Sequence, residues 1–445
     1  MQYTQFTEEQ VGVMLTTIGA KTIDDLFSPI PAAHRLTRPL DLPKGVSELE
    51  LLRDCESLAG RNYDCTKLTC FLGCGSYDHF VPTIVDSMAG QSEFLTAYTP
   101  YQAEASQGIL QLFYEFQTMI CALTGMEIAN ASLYEGATAA AEAVMMAAAI
   151  TKRDRVLVAD NVHPDTLAVH AAYDADRKIA TTVIASSGGL VDEQSLADAL
   201  DDGIAAVVIQ SPNFFGCVER LDRLIPKIHE HGALAIISTD PLAAGVFKSA
   251  GAHGADIVVA EGQPLGIPMQ YGGPYLGLLA AREKYLRKMP GRVIGMTTDR
   301  EGRRAFCLAL QTREQHIKRE RATSNICTNQ GLLAIRAAIH MAALGKRGIA
   351  EVSSQCFDKA HYAADAISAL DGYSLRFDAP FFKEFVIRTD RDVAAVLDHC
   401  RSGGIAAGVA LGRFDDRYAD CFAVAVTEKR SRTEIDALVS ALREA

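Results

Sequence analysis

The sequence predicts an α/β protein with a mainly parallel sheet that is covered by helices on both faces. Short apolar runs recur through the middle of the chain, and most connections between them carry a helical pattern, as in DTLAVHAAYDA and LDRLIPKIHEH. Strands that are buried on both faces are apolar along their whole length, so such runs are typical of parallel sheets. The predicted strands are residues 156–159, 182–184, 206–209, 233–237, 257–260 and 276–280.

Two further regions flank this large domain, which we place at residues 66–315. Residues 1–65 are polar and helical in pattern, and they predict an N-terminal helical arm. Residues 316–445 predict a linker helix and a small C-terminal α/β domain, because EFVIRT, DVAAVLDHCRSG, CFAVAVT and RTEIDALVSALREA alternate between strand and helix patterns. We expect the stretch 299–345, around the domain boundary, to be rich in helix.

Composition narrows the classes of function. The chain has 445 residues and a formal net charge of −12, which argues against a nucleic-acid partner or an anionic membrane. The N-terminal MQYTQFTEEQ lacks the basic and apolar regions of a targeting peptide, so we expect a cytoplasmic protein. The 11 cysteines, an odd number, favour reduced thiols. Cys70 and Cys74 are close in sequence, but no second pair with metal-ligand spacing accompanies them, so no metal site is expected.

Polar and small residues follow several predicted strands, at the edge where α/β proteins hold ligands. A carboxylate there can pair with the ring nitrogen of a pyridine cofactor, an imidazole can stack on the ring, and free amides at a helix start can bind a phosphate. Each residue also has an ordinary alternative role in a turn, a cap or the packing. Together they predict a pyridoxal-phosphate pocket, and the arm, large domain and small domain are the plan of fold-type I pyridoxal-phosphate enzymes. The candidate residues are Gly136, Ala137, His163, Ser211, Asn213 and Asp240.

This predicted pocket has no lysine, although the cofactor is normally held as an imine of a lysine amine. In this fold the lysine should follow the strand after Asp240, in the stretch DIVVAEGQPLGIPMQYGGP. The flanking Lys248 and Lys284 are out of register. The chain therefore either works with a partner that supplies the lysine or is an independent enzyme that uses a lysine elsewhere.

Four long strings of the sequence are distinctive: TAYTPYQAEASQGILQLFYEFQTMICALTGMEIANASLYEGATAAAEA, PLGIPMQYGGPYLG, PGRVIGMTTD and LALQTREQHIKRERATSNICTNQ. With them, nearly the whole chain resembles the N-terminal half of P-proteins of the glycine cleavage system, which in split enzymes is a separate alpha subunit. In that family the second half carries the Schiff-base lysine in an HKT-type string followed by IPHGGGGP. Aligning Ile267 and Pro268 with that IP places Gln263 at the position of the lysine.

The resemblance implies a heteromeric enzyme. A lysine-bearing beta subunit would hold pyridoxal phosphate covalently, and the complex would decarboxylate glycine and transfer the aminomethyl group to the lipoyl arm of the H-protein. It also implies an active site at the subunit interface, which this chain would shape from the other side.

The sequence offers five candidates for groups that reach the partner's site. The loop AYTPYQAEA carries phenols, an amide and a carboxylate that could contact substrate or cofactor, and an arginine could hold a carboxylate. This loop has Ala103 where the family's usual string has proline. Two alternatives stay open: the tyrosines as interface packing, and a purely structural or regulatory subunit that stabilises the partner or docks the H-protein. The candidates are Tyr98, Tyr101, Gln102, Glu104 and Arg313.

Overall fold

A computed structural model describes residues 5–95, 100–177, 179–326 and 329–445 of the chain. The chain divides into two units, Met1–Tyr63 and Asp64–Ala445. The predicted boundary between a large and a small domain near residue 315 stays a prediction. In the described residues, every helix is too short or too polar to cross a membrane.

The N-terminal unit consists of short helices with solvated surfaces. Helix α1 (Glu8–Ile18) and helix α2 (Glu48–Ala59) each begin with a reciprocal capping box, formed by Thr7 with Gln10 and by Ser47 with Glu50. None of the described residues 5–63 is buried, although many of them are large and apolar. Capping therefore defines where these helices begin, but their described residues form no hydrophobic core.

The main unit is built on a seven-stranded sheet, and the prediction of a mainly parallel sheet is confirmed. Five neighbouring strands run parallel, while the next strand, Gly277–Ala281, lies antiparallel to both of its neighbours. The central strands are buried along most of their length because helices cover both faces. In spatial order the strands are β2 (Ile128–Ala129), β10 (Gly277–Ala281), β9 (Ile257–Glu261), β8 (Leu234–Thr239), β7 (Ile204–Gln210), β3 (Arg155–Ala159) and β4 (Ala180–Ile184).

Helix α6 (Gly136–Thr151) packs against this sheet and begins at its ligand-binding edge. Its sequence is rich in alanine, and residues Thr138 to Val144 are all buried, because small side chains let the helix axis approach the strands closely. At its first residue, Gly136, an added Cβ would lie 3.0 Å from the backbone nitrogen of Glu261 at the end of β9. The other helices of this part are α3 (Thr83–Ala89), α4 (Ser92–Leu95), α5 (Gln107–Thr124), α7 (Pro164–Arg177), α8 (Glu193–Ala199) and α9 (Leu221–Glu230), and a small hairpin joins β5 (Ser186–Ser187) to β6 (Leu190–Val191).

The stretch 299–345 is less helical than its sequence predicts. Strand β12 (Arg304–Ala309) pairs antiparallel with β11 (Val293–Thr298), and the long helix begins only at Gly331. The reason is the period of burial, since Phe306 and Leu308 are buried while their neighbours are more exposed, which is the pattern of a strand. Among the described residues between β12 and Gly331, the longest α-helix is a single turn, α10 (Gln315–Lys318).

The C-terminal part is a four-stranded antiparallel sheet with helices packed on it, as the alternating pattern predicts. Helix α11 (Gly331–Ser368) leads into it and kinks at Gly345, whose φ is 59°. Strand β1 (Thr69–Cys70) pairs parallel with β15 (Ile405–Ala406). The sheet order is β13 (Tyr373–Leu375), β14 (Glu384–Thr389), β17 (Cys421–Ala425) and β16 (Val409–Ala410), and the remaining helices are α12 (Val393–Ser402) and α13 (Arg432–Glu444).

The segment before β14 is fastened to the main sheet by backbone contacts. The amide of Phe382 donates to the carbonyl of Gly216 at 3.2 Å, and the amide of Val218 donates to the carbonyl of Pro380 at 2.7 Å. Gly216 has a φ of +81°, and an added Cβ would lie 1.8 Å from the carbonyl oxygen of Glu384. This close approach brings Lys383 and Glu384 to the edge of the parallel sheet.

A Gly216→Ala variant should therefore lose at least about 3 kcal/mol of unfolding free energy, because it adds a backbone clash to an unfavourable φ. Gly188→Ala is the matched control: its φ of +60° is also left-handed, but nothing lies within 4 Å of the added Cβ. The control should lose only about 1 kcal/mol in urea denaturation. Equal losses for the two variants would contradict the assigned packing.

Candidate cofactor-type pocket and interface loop

A cavity of about 570 Å³ lies at the carboxyl end of the parallel strands, the place where α/β sheets bind ligands. Most of the residues that the sequence singles out for a cofactor pocket line it. Ser211 instead lines a neighbouring cavity of about 190 Å³, which shares Asp240. The predicted residues that line the large cavity are Gly136, Ala137, His163, Asn213 and Asp240.

Asp240, which follows β8, is paired within the chain. Its Oδ1 caps the next turn by accepting from the amide of Leu242 at 2.9 Å. Its Oδ2 lies 2.6 Å from Nζ of Lys383, whose side chain is only 2% exposed. Burial makes this contact essential, because an unpaired charge at this depth would cost several kcal/mol. The carboxylate is thus already matched by a cation that comes from the segment before β14.

Lys383 also contacts two residues of the loop after β1. Its Nζ lies 2.8 Å from Nε2 of His79 and 3.8 Å from the centroid of the Tyr77 ring. Burial, together with the nearby ammonium, lowers the pKa of His79. A neutral imidazole can accept from Lys383 at Nε2 and donate at Nδ1, and Nδ1 lies 2.7 Å from the carboxylate of Glu428.

His79, Cys356 and Glu428 have the chemistry of metal ligands, and their ligand atoms lie within 4.8 Å of one another. These atoms instead contact each other: Sγ of Cys356 lies 3.3 Å from Oε2 of Glu428, which His79 also contacts. Although burial alone would raise it, the hydrogen bonds that Glu428 accepts from His79 and from the amide of Phe80 lower its pKa to about 2. The ammonium of Lys383 contacts the other nitrogen of the imidazole. The four side chains therefore form a buried series of hydrogen bonds from Lys383 through His79 and Glu428 to Cys356.

Glu261 occupies the helix start that could bind an anion. Its Oε2 accepts from the amide of Gly136 at 2.9 Å, while its Oε1 accepts from the amides of Gln263 and Leu276 at 2.9 and 3.0 Å. Burial raises the pKa of Glu261 to about 7, against the opposing effect of these amides. Glu135 adds a second carboxylate, which accepts from the amide of Thr138 at 2.8 Å.

Gln263 is buried, and its amide group is fully engaged. Nε2 donates to the carbonyls of Tyr77 and Ile267 at 3.0 and 2.8 Å, and Oε1 accepts from the amide of Tyr77 at 3.1 Å. The side chain therefore ties the loop after β9 to the loop after β1. It offers no nucleophile to the cavity.

The remaining predicted pocket residues make structural hydrogen bonds. His163 donates from Nε2 to the carbonyl of Cys74 at 2.9 Å and accepts at Nδ1 from the amide of Asp165 at 3.1 Å. Its ring meets Phe214 edge-on at 5.2 Å. Asn213 donates to the carbonyl of Gly189, and Ser211 accepts from the amide of Glu219.

Glu384 is a buried cavity residue that the sequence interpretation missed. It accepts from the amide of Cys74 at 2.6 Å and from the hydroxyl of Tyr77 at 2.8 Å. Burial raises its pKa to about 7, although both hydrogen bonds act in the opposite direction. The charged pair Lys383 and Glu384 within the apolar string PFFKEFVI is the one sequence signal that could have revealed both residues.

The predicted interface loop lies on the surface, and its geometry depends on a second missed residue. Tyr101 is 52% exposed, and its hydroxyl accepts from the guanidinium of Arg292 at 3.0 Å. Arg292 is 3% exposed and lies 4.0 Å from Glu314, so a buried ion pair supports the contact. Gln102 and Glu104 are exposed, whereas Tyr98 lies outside the described residues.

Arg313 is separate from that contact. Its guanidinium donates to the backbone carbonyls of Met289 and Gly291, and burial lowers its pKa. The structure thus brings Tyr101 together with Arg292 and uses Arg313 to fasten the turn before β11. A substrate carboxylate would have to replace those carbonyl contacts.

The sheet order, the ligand-edge cavity and the strand-end aspartate define the scaffold of a fold-type I pyridoxal-phosphate enzyme. A sphingosine-1-phosphate lyase of Burkholderia pseudomallei shares this fold, with a TM-score of 0.66 at 17% identity over 93% of this chain and 94% of that one. The chain belongs to the glycine cleavage system P-protein family, whose model matches residues 1–442.

Two relatives show how complete this match is. A probable glycine dehydrogenase (decarboxylating) subunit 1 of Desulforamulus reducens is 47% identical over 442 residues, which are 99% of each chain. The crystal structure of a glycine decarboxylase (P-protein) of the glycine cleavage system, in inhibitor-bound form, has a TM-score of 0.93 at 41% identity and covers all of both chains.

The P-protein family depends on pyridoxal phosphate, but the residues of this chain do not fit that cofactor. The position expected for the lysine holds Gln263, whose amide is fully engaged. Asp240, the partner expected for the ring nitrogen, is paired with Lys383. The amide of Gly136, expected to bind the phosphate, donates to a carboxylate of the chain itself.

The raised pKa of Glu384 predicts a defined dependence of stability on pH. A carboxyl group whose pKa is about 7 when folded and 4.5 when unfolded stays protonated in the folded state while the unfolded chain loses its proton. Its contribution to stability is therefore full below pH 4.5 and is lost as pH rises towards 7. Relative to the wild type, Glu384→Gln should gain on the order of 3 kcal/mol of unfolding free energy across that window.

Urea denaturation at a series of pH values measures this difference. The isosteric amide can still accept from Cys74 and can donate to Tyr77, so the fold is retained. Glu230→Gln, at an exposed helix position, is the control and should follow the wild-type profile at every pH. Parallel profiles for the wild type and Glu384→Gln would show that Glu384 is charged in the folded protein at pH 5–7.

Proposed function

We propose that this chain is the alpha subunit of a two-subunit glycine decarboxylase, the P-protein of the glycine cleavage system. With a lysine-bearing beta subunit it would decarboxylate glycine and pass the aminomethyl group to the lipoyl arm of the H-protein. The observation that carries the proposal is the engaged Gln263 in a chain that matches the family from end to end. Such a chain retains the scaffold but requires another subunit for the chemistry.

The N-terminal unit supports the need for a partner. Its helices bury none of their described residues, although Leu49, Leu52 and Phe27 are among many large apolar side chains that are 46–58% exposed. Apolar surface of this extent is unfavourable in water and marks an interaction site. We assign this surface to the beta subunit, because a subunit that lacks the lysine must be held permanently against the one that carries it.

The interface loop is the part of this chain that we assign to the partner's active site. Arg292 fixes the hydroxyl of Tyr101 while leaving about half of the residue exposed, so the phenol is oriented but accessible. Gln102 and Glu104 follow it on the same exposed loop. An oriented phenol can donate to a carboxylate or phosphate with little cost of ordering.

The alternative is a structural or regulatory subunit that stabilises the beta subunit or docks the H-protein. The internal contacts of Arg313 favour it, because this arginine is committed to two backbone carbonyls. The ten cysteines of the described residues are free thiols, which suits either role in a reducing cytoplasm.

Reconstitution tests the proposed function directly. The purified chain alone should show no glycine-dependent exchange of bicarbonate, because it has no amine at the position of Gln263. Exchange should appear on titration with the beta subunit and saturate at a fixed ratio of the chains. The beta subunit alone, assayed at the same concentration, is the control. Full exchange activity from either chain alone would overturn the proposal.

Tyr101→Phe separates the two candidate roles. If the phenol reaches the partner's site, the variant should assemble normally but lose at least about tenfold in kcat for exchange. Tyr362→Phe is the matched control, since it also removes one phenolic hydrogen bond, to Asp436, and Tyr362 is not among the residues that line the cavity. Unchanged turnover in the assembled Tyr101→Phe complex would favour the structural role instead.

A further inference from the structure

The cofactor-type pocket of this chain contains charges of its own where a ligand's charges would be expected. We propose that the pocket is self-liganded: Lys383 stands in the place of a ligand's cationic ring nitrogen, and Glu261 stands in the place of its phosphate. The chain's own side chains then exclude pyridine phosphates from the pocket. The contacts between these side chains join the seven-stranded sheet to the four-stranded sheet. The inference concerns this chain alone and goes beyond its proposed role in glycine decarboxylation.

Lys383 occupies the position of the ring nitrogen because it is deeply buried and paired. Its side chain is 2% exposed, and its ammonium contacts Asp240 at 2.6 Å and the imidazole of His79 at 2.8 Å. A ring nitrogen could reach Asp240 only by displacing this ammonium, which would then be buried without its carboxylate. Because such a charge is strongly unfavourable, the internal contact excludes the external one.

The anionic half depends on the start of helix α6. A phosphate binds a helix start through free backbone amides, yet the amide of Gly136 donates to Glu261 and that of Thr138 donates to Glu135. Glu261 is held in place at its other oxygen by the amides of Gln263 and Leu276. A phosphate at this position would meet two carboxylates in place of two donors.

The charges that line the cavity also disfavour the binding of a phosphate. Lys383 is the only lysine or arginine among the described residues that line it. Five carboxyl groups line the same cavity, and a phosphate would add up to two further negative charges. The lining acids are Glu135, Asp165, Asp240, Glu261 and Glu384.

A binding experiment with the full-length chain tests the inference. Pyridoxamine 5′-phosphate is the probe, because it lacks the aldehyde that reacts with surface lysines. Above the pKa of Glu261, near pH 8, the wild type should show no saturable change in ligand fluorescence up to roughly 1 mM. The Lys383→Met/Glu261→Gln variant should bind the probe at least roughly tenfold more tightly than the wild type.

Lys346→Met/Glu351→Gln is the matched control, since it makes the same changes at exposed positions of helix α11 and should behave as the wild type. Saturable wild-type binding that is lost in Asp240→Asn would overturn the proposal, because the pocket would then be open. Failure of a folded Lys383→Met/Glu261→Gln variant to bind would count against it equally.

A double-mutant cycle provides a second measurement that needs no ligand. Asp240→Asn and Lys383→Met should each lower the melting temperature by roughly 5 °C or more, because each leaves a buried charge unpaired. The Asp240→Asn/Lys383→Met variant should lose clearly less than the sum of the single losses. Strictly additive losses would show that the two residues are not each other's ligand and would overturn the cationic half of the proposal.

Discussion

The buried ion pair between Lys383 and Asp240 is the contact around which the interior of the main unit is arranged. One partner follows a strand of the parallel sheet, and the other precedes a strand of the antiparallel sheet, so the pair exists only when the two sheets are together. The close passage of Gly216 against the carbonyl of Glu384 makes that approach possible. From Lys383 the polar contacts continue to His79 and from His79 to Glu428. Glu428 in turn contacts Cys356, which lies on helix α11. Each member is satisfied by the next, which is the condition under which buried polar groups do not destabilise a fold.

This arrangement explains how the scaffold of a pyridoxal-phosphate enzyme can be stable with no ligand in its pocket. The strand-end aspartate, the helix start with small residues and the glycine-containing loop are all present, and each has an intramolecular partner. A pocket that has lost its cofactor would leave a buried carboxylate and free amides exposed to an empty space. Here Lys383, Glu261 and Gln263 satisfy those groups, so the scaffold is stable without a ligand. The chain can then serve as a rigid support for the surfaces that face another subunit.

The sequence predicts those features that depend on local pattern and does less well with those that depend on distant pairing. The buried strands and the position of Asp240 follow from apolar runs and their ends, whereas Gln263 is singled out only by the resemblance to the lysine-bearing loop of the P-protein family. Residues 304–309 form a strand where the sequence predicts helix, because a short strand within a polar stretch gives a weak periodic signal. Lys383 could not be assigned, because its partner lies on another sheet and a charged residue beside a strand is usually solvated. Arg292 was missed for the same reason, since its contact with Tyr101 joins segments that are far apart in the chain.

The hydrogen bonds of Gln263 have an evolutionary consequence. A lysine at this position would lose the amide's contacts with Tyr77 and Ile267 and would bring a second amine to the loop whose aromatic ring already faces Lys383. It would still find the aspartate neutralised and the helix start occupied, so no single substitution recovers a working site.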